Sequence, residues 1–210
     1  MSAAPPEDDF TLLALWRDGD SDAGNELVRR HFSVVFRFFA NKANDDAPDL
    51  TQQTFLALVE QRTRVDPTIA LRAYVLGVAR HKLVHHLRHH YRHTAVFSPE
   101  HVSAVEAQPD PASSPTRRLA ADEQRSALEL ALRALPLDHQ IALELHYWHE
   151  MALAEIATVL ECTPGSVKSR LFRARKALQQ HVRRLSANPA PVLADLDSAM
   201  SSIAGDPDPA

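Results

Sequence analysis

Between residues 94 and 117 the chain loses a helical period that runs through most of the sequence on either side. This stretch carries Pro99, Pro109, Pro111 and Pro115 among Ser and Ala, with no apolar repeat. Proline lacks the backbone N–H and fixes φ, so the segment can continue neither a helix nor a central strand. The rest must therefore fold as two pieces, each near the lower size limit for a self-sufficient core. Only 5 Gly and 8 Phe in 210 residues argue against a turn-rich β architecture. The expected fold class is all-α: two small helical domains, residues 1–93 and 118–185, joined by a flexible linker, 94–117. The tail, 186–210, has four Asp, four Pro and no basic residue and is expected to be disordered.

Apolar spacing divides the first domain into a short helix from Asp9 to Trp16 and three longer ones. The second runs from Asp22, its expected N-cap, to Ala43, burying Val28, Phe32, Val35, Phe36 and Phe39. The third, about Asp49 to Arg62, buries Leu50, Phe55, Leu56 and Val59. Pro67 is expected to open the fourth, which runs to about His93 and buries Ile69, Tyr74, Val75, Val78, Leu83 and Leu87. The second domain reads as four helices, about 118–135, 137–149, 152–160 and 164–185, with turns short enough to force close packing.

Charge is partitioned along the chain. The net charge of -4 speaks against a polyanion partner, yet residues 62–93 and 163–185 hold fourteen of the 23 basic residues and one of the 27 acidic ones. Two separated basic surfaces on an otherwise acidic protein point to two contacts with nucleic acid. The single cysteine, Cys162, excludes an internal disulfide and a Cys-rich zinc module, in keeping with a reducing compartment. No apolar run reaches membrane-spanning length, and the acidic N-terminus carries no apolar export segment. The expected location is the cytoplasm, without membrane insertion.

The segment 152–171 has the layout of a helix-turn-helix. Ile156, Ala157 and Leu160 give the first helix its apolar face, with the small Ala157 allowing close approach of the second. Thr163 supplies an N-cap oxygen, and Pro164 sits where a missing N–H costs nothing. Val167, Leu171, Ala174 and Leu178 form a seam pointing inward. Lys168, Ser169, Phe172, Arg173 and Lys176 are left to face a major groove, with Arg170, Arg175 and Lys176 neutralising phosphates. A bare basic face on an ordinary helical pair is the competing reading, and the absence of any acid from 163 to 185 weakens it.

Twelve histidines raise the question of metal, since His85 with His89 and His86 with His90 form i, i+4 pairs. A zinc site needs three or four convergent ligands, and neither a cysteine set nor a His-Glu-x-x-His arrangement accompanies these pairs. They read as a soft basic surface that is partly protonated below neutral pH. No catalytic constellation, metal or cofactor is expected, and the chain reads as a binding protein without enzymatic activity.

Three stretches closely resemble the extracytoplasmic-function group of bacterial sigma factors: Asp49-Leu-Thr-Gln-Gln-Thr-Phe, Ala73-Tyr-Val-Leu-Gly-Val-Ala-Arg-His, and Leu135-Pro followed by Glu155-Ile-Ala and Ser166-Val-Lys-Ser-Arg-Leu-Phe-Arg-Ala-Arg. The resemblance covers about residues 10–185. It implies an initiation factor that binds core RNA polymerase at the β′ clamp helices and β flap and recognises promoter DNA at its minus-10 and minus-35 elements. Asp49, Gln52, Gln53 and Phe55 would lie at or near the clamp-docking surface, with Phe55 in the core. Residues 64–71 would capture an unstacked minus-10 base, an extrusion costing a few kcal/mol that a pocket and nearby cations offset. Arg64, Arg80, His81, Lys82, His85 and Arg88 would face the DNA, and Lys168, Ser169, Arg170, Phe172 and Arg173 would read the minus-35 element. A stand-alone helix-turn-helix regulator is the alternative function.

Departures from the family pattern carry their own expectations. Where that family has Ala-Glu-Asp-Leu-Thr-Gln-Glu-Thr-Phe, this chain has Ala47-Pro-Asp-Leu-Thr-Gln-Gln-Thr-Phe. Two negative charges are therefore missing, at Pro48 and Gln53, from a surface that should meet a basic partner, with Asp45 and Asp46 in partial compensation. A Ser/Thr kinase acting on Thr51, or on Thr54, would add about 1.5 to 2 negative charges beside the gap. An anti-sigma factor is the competing mode of control. Glu161 stands where a turn Gly is expected, His81 where an Asn is common, and Tyr74 where a Trp is common.

Overall fold

A computed structural model describes residues 8–90, 127–186, 189–190 and 193–194. They divide into two compact units, the first built mainly from the chain up to residue 95 and the second from most of the chain beyond it. The expected linker 94–117, residues 91–93 and 118–126, and nearly all of the tail lie outside the described residues. Among those described there is no strand, as an all-α class requires.

The first unit contains α1 (Asp9–Arg17), α2 (Ser21–Ala43), α3 (Ala47–Gln61) and α4 (Leu71–His90), with 3-10 turns at Asn44–Asp46 and Arg62–Arg64. Asp8 starts α1 by accepting a hydrogen bond from the Thr11 N–H at 2.7 Å, and this bond holds its carboxyl below the ordinary carboxylate range. At the start of α2 the expected cap is displaced by two residues. Asp20 accepts from the N–H groups of Asp22 and Ala23, because Asp22 already lies inside the helix. Pro67 likewise does not open α4, which begins at Leu71. Asp66 folds the preceding residues into a turn, accepting from both the N–H and the hydroxyl of Thr68.

α2, α3 and α4 pack against one another around Phe38, Phe39, Leu27, Leu58, Leu76 and Leu83, all fully buried. Three residues expected in this core lie outside it: Phe32 is 49% exposed, Leu56 56% and Val59 39%. Helical spacing gives a stripe its period but not its width or centre, and contacts on both sides of α2 rotate its buried face toward Leu27 and Phe38. Phe32 instead lies on the surface, stacked on Phe36 at 6.1 Å and on Phe55 at 6.2 Å between centroids. α1 lies across α2. Gly24 makes this close approach possible, since a Cβ there would sit 2.6 Å from Trp16 Cδ1. Asp9 fixes the pair by binding Arg30 at 3.2 Å and His31 at 2.7 Å.

Beyond these helices α5 is described over residues 127–133, followed by α6 (Leu137–Tyr147), α7 (Leu153–Leu160) and α8 (Pro164–Leu185). α6 packs on α8, and Leu135, Ile141, Leu145, Met151 and Ile156 fill the interior with the α8 seam. α7 starts with half of a capping box: Glu155 reaches back to accept from the Ala152 N–H at 2.9 Å. It ends in a Schellman turn, with the Cys162 N–H on the Ala157 carbonyl and the Glu161 N–H on that of Thr158. That turn puts Glu161 in the left-handed region at φ 53, where its Cβ costs roughly 1 to 2 kcal/mol.

Candidate nucleic-acid interface

α8 has the bounds its sequence predicts. Thr163 accepts from the Ser166 N–H at 3.2 Å, Pro164 occupies the first turn, and Val167, Leu171, Ala174, Leu178 and Val182 are all buried. Burial of this seam forces the intervening positions outward. Lys168, Ser169, Arg173 and Lys176 are exposed, and Phe172 is 69% exposed, a large apolar side chain held in water between cations. Such a face can offer point charges to phosphates and a flat ring to a base edge or thymine methyl.

Arg170 does not join that face. Its guanidinium turns toward α6 and donates to Asp138 Oδ2 at 3.1 Å, with both side chains about one-fifth exposed. This contact, on a residue expected to face the major groove, ties α8 to the first turn of α6. Arg175, expected at phosphates, is half-buried over the Tyr147 ring at 5.1 Å, and this burial pushes its pKa down. Arg170 directly precedes Leu171 and Arg175 directly follows Ala174, so both fall beside the buried seam and their long side chains run along the module rather than away from it.

On the first unit, Arg64, His81, His85 and Arg88 are exposed, while Arg80 and Lys82 are half-buried. His86 is excluded from this set by its position, with Nε2 3.3 Å from Asp46 Oδ2. Nothing is described for the side chain of His90, so the second expected histidine pair lies partly outside the described residues. Residues 66–68, at the tip of the segment between α3 and α4, are exposed, and Val65 is buried beneath them. This segment has a framework that sequence reading missed: Arg17, at the end of α1, donates from Nε to the Arg62 carbonyl at 2.8 Å and from Nη2 to that of Val65. No signal in the sequence links residue 17 to residues 62–65, because the contact spans separate helices.

At the start of α3, Asp45, Asp46, Pro48, Asp49 and Gln52 are exposed. Gln53 is half-buried and donates to Asp49 Oδ2 at 2.6 Å, one turn away. Phe55 is buried, as expected. The two threonines singled out as kinase targets are both buried. Thr51 is 1% exposed and donates its hydroxyl to the Ala47 carbonyl at 2.7 Å, and Thr54 is fully buried with its hydroxyl on the Leu50 carbonyl. Helix α3 is flanked by α2 and α4, so positions 51 and 54 face inward together with Leu50, Phe55 and Leu58.

Two family models match the chain, one in each half of the sequence. The family model described as sigma-70 region 2 matches residues 25–93, and that described as sigma-70, region 4 matches residues 125–178. The chain is 29% identical over 184 residues to a Mycobacterium tuberculosis protein named ECF RNA polymerase sigma factor SigC, covering 85% of this chain and 94% of that one. It is 25% identical over 185 residues to the Escherichia coli ECF RNA polymerase sigma-E factor, covering 84% and 95%. Among solved structures it resembles CnrH bound to the cytosolic domain of CnrY, with a TM-score of 0.62, 23% identity, and coverage of 85% of this chain and 99% of that one. It also resembles the Bartonella quintana sigma factor RpoE bound to the anti-sigma factor NepR, with a TM-score of 0.57, 21% identity, and coverage of 76% and 96%. No described helix is long and apolar enough to cross a membrane.

Proposed function

The chain belongs to the extracytoplasmic-function sigma factors, whose regions 2 and 4 bind core RNA polymerase and promoter DNA, and on that premise we propose which surfaces perform each task here. The acidic opening of α3, with Asp45, Asp46, Asp49 and Gln52 on its surface, docks on the β′ clamp helices. The segment 64–71 takes up an unstacked minus-10 base, and Arg64, His81, His85 and Arg88 follow the adjoining strand, with Arg80 and Lys82 reaching it from half-buried positions. In region 4, Lys168, Ser169, Phe172 and Arg173 read the minus-35 element while Lys176 neutralises phosphate, and the β flap holds this module on the enzyme. A stand-alone helix-turn-helix regulator would account for the second unit only and would leave the region 2 match over residues 25–93 without a role.

The observation that carries this reading is the exposed face of α8, where an unburied phenylalanine stands among cations with no acid between them. Run-off transcription on genomic fragments with core polymerase supplies the test. Wild type is expected to start at a defined set of promoters, and Phe172→Ala and Arg173→Ala to lose selectivity at particular minus-35 positions, each by about 1–3 kcal/mol per base contact. Loss spread evenly over all sequences would reduce the face to a phosphate clamp and end the base-reading assignment.

Docking in this proposal needs no modification. Asp45, Asp46 and Asp49 lie in exposed turns and supply charge that Pro48 and Gln53 do not. Phosphorylation of Thr51 stands as a second reading, favoured by those two missing acids, and requires the first turns of α3 to open before a kinase can reach the hydroxyl. Core-binding titrations separate them: unmodified protein that binds polymerase tightly, and gains a few-fold from Pro48→Glu, supports the first reading. Binding only after kinase treatment supports the second. An anti-sigma factor, such as the NepR bound to the Bartonella quintana sigma factor RpoE, would be the other form of control.

A further inference from the structure

The segment proposed to capture a minus-10 base is held in shape from behind by α1, a helix that precedes the residues matched to region 2. Arg17 ends that helix, half-buried, with its guanidinium forked across two backbone carbonyls, those of Arg62 and Val65. These carbonyls close the 3-10 turn that ends the α3 rod, where the last C=O groups lack intrahelical partners and the local dipole favours a cation. Trp16 packs beside the same turn, its ring 5.8 Å from the Arg62 guanidinium. On the far side of Val65, Asp66 accepts from the Thr68 N–H at 2.8 Å and the Thr68 hydroxyl at 2.7 Å. The backbone from 62 to 68 is thus fixed at both ends while 66–68 stay exposed.

We infer that Arg17 is a positioning residue for base capture: its fork sets the backbone of residues 62–65 so that the exposed 66–68 turn presents one fixed shape to the extruded base. This inference rests on the assignment of residues 64–71 as the capturing segment. A fixed receptor shape matters because extrusion is uphill and must be offset by contacts already in place. A segment that had to be ordered at the moment of capture would lose part of that offset. Lysine cannot replace the fork, since an ammonium is a point donor and does not span two carbonyls in one plane.

The test compares full-length Arg17→Lys with wild type and with Thr68→Ala, a change within the turn itself. Each is assembled with core polymerase on a promoter found by run-off transcription. Three readouts are taken: core binding, opening of the minus-10 segment followed by 2-aminopurine fluorescence, and the opening rate with each of the four bases at the captured position. Arg17→Lys is expected to bind core within about twofold of wild type, open the promoter roughly 10-fold more slowly, and compress the spread among the four bases. Thermal melting of the free protein accompanies these, because a merely structural arginine would lower melting temperature and core binding together and leave the base spread intact. That pattern overturns the inference. Wild-type base discrimination in Arg17→Lys, with discrimination lost in Thr68→Ala, also overturns it while leaving the capture assignment standing. Unchanged discrimination in both variants removes the capture assignment itself, and the role of Arg17 with it.

Discussion

Replacing Thr51 by glutamate is a natural way to mimic a phosphate beside the missing acids of α3, and the structure predicts that it destabilises the first unit instead of activating the protein. Thr51 is 1% exposed, with its hydroxyl on the Ala47 carbonyl at 2.7 Å. A carboxylate there would be cut off from water and would bring extra volume into a filled helix interface. Burial of an unpaired ion costs several kcal/mol after relaxation, and overpacking adds about 1–3 kcal/mol. Even a total of about 3 kcal/mol is a large share of the roughly 5–15 kcal/mol that stabilises a domain. With about 4–8 °C per kcal/mol at this domain size, Thr51→Glu should lower the melting temperature by more than about 12 °C. Thr51→Val is the control. It keeps the β-branched shape and removes one hydrogen bond from a carbonyl that retains its helical partner, so it should cost about 1 kcal/mol and leave transcription intact. Thermal melting by circular dichroism and run-off transcription read both variants. A Thr51→Glu protein that melts with wild type and transcribes more strongly would refute the reasoning and place position 51 on an accessible surface.

Gly24→Ala should destabilise the first unit although alanine is the better helix former by about 1 kcal/mol. Its Cβ would fall 2.6 Å from both Cδ1 and Cε2 of the Trp16 indole, and displacing α1 is expected to leave a net loss of about 1–2 kcal/mol in urea unfolding. Glu150→Gly should act in the opposite sense. Glu150 is exposed at φ 50, and relieving roughly 1–2 kcal/mol of left-handed strain outweighs the added unfolded-state entropy of about 0.4–1 kcal/mol, giving a higher melting temperature. In the second unit, burial pushes the pKa of both His139 and His146 below the ordinary 6.5, with Arg170 and Arg173 adding to the effect at His139. The unfolded chain therefore takes up protons near pH 6.5 that the folded chain accepts only at lower pH. Melting temperature should fall as pH drops from 7.5 through that range and level off below the folded values, and His146→Gln should flatten part of the slope.

The two compact units were legible because their signals are local. Proline chemistry at Thr163-Pro164 fixes where α8 starts, and apolar spacing at 167, 171, 174 and 178 fixes which side of it is buried. With that seam assigned, exposure of Lys168, Ser169, Phe172 and Arg173 follows from 3.6 residues per turn alone. The left-handed turn at Glu161 was also legible, through the family resemblance that places a turn Gly at that position. Local reading misplaced Phe32, Leu56 and Val59, which have the right period for a core helix. Which side of α2 and α3 turns inward depended on the helices packed to either flank.

The sequence alone determined the period of each helix, the break between the two pieces, and where positive charge accumulates, since all of these are properties of neighbours along the chain. Only the tertiary structure decided that Thr51 is sealed between helices, that Arg170 pairs with Asp138, and that Arg17 holds the carbonyls of residues 45 and 48 positions away. The physical reason is the same in each case. A side chain's chemistry is set by its type, but its partner is set by which other helix reaches it, and that is a consequence of packing.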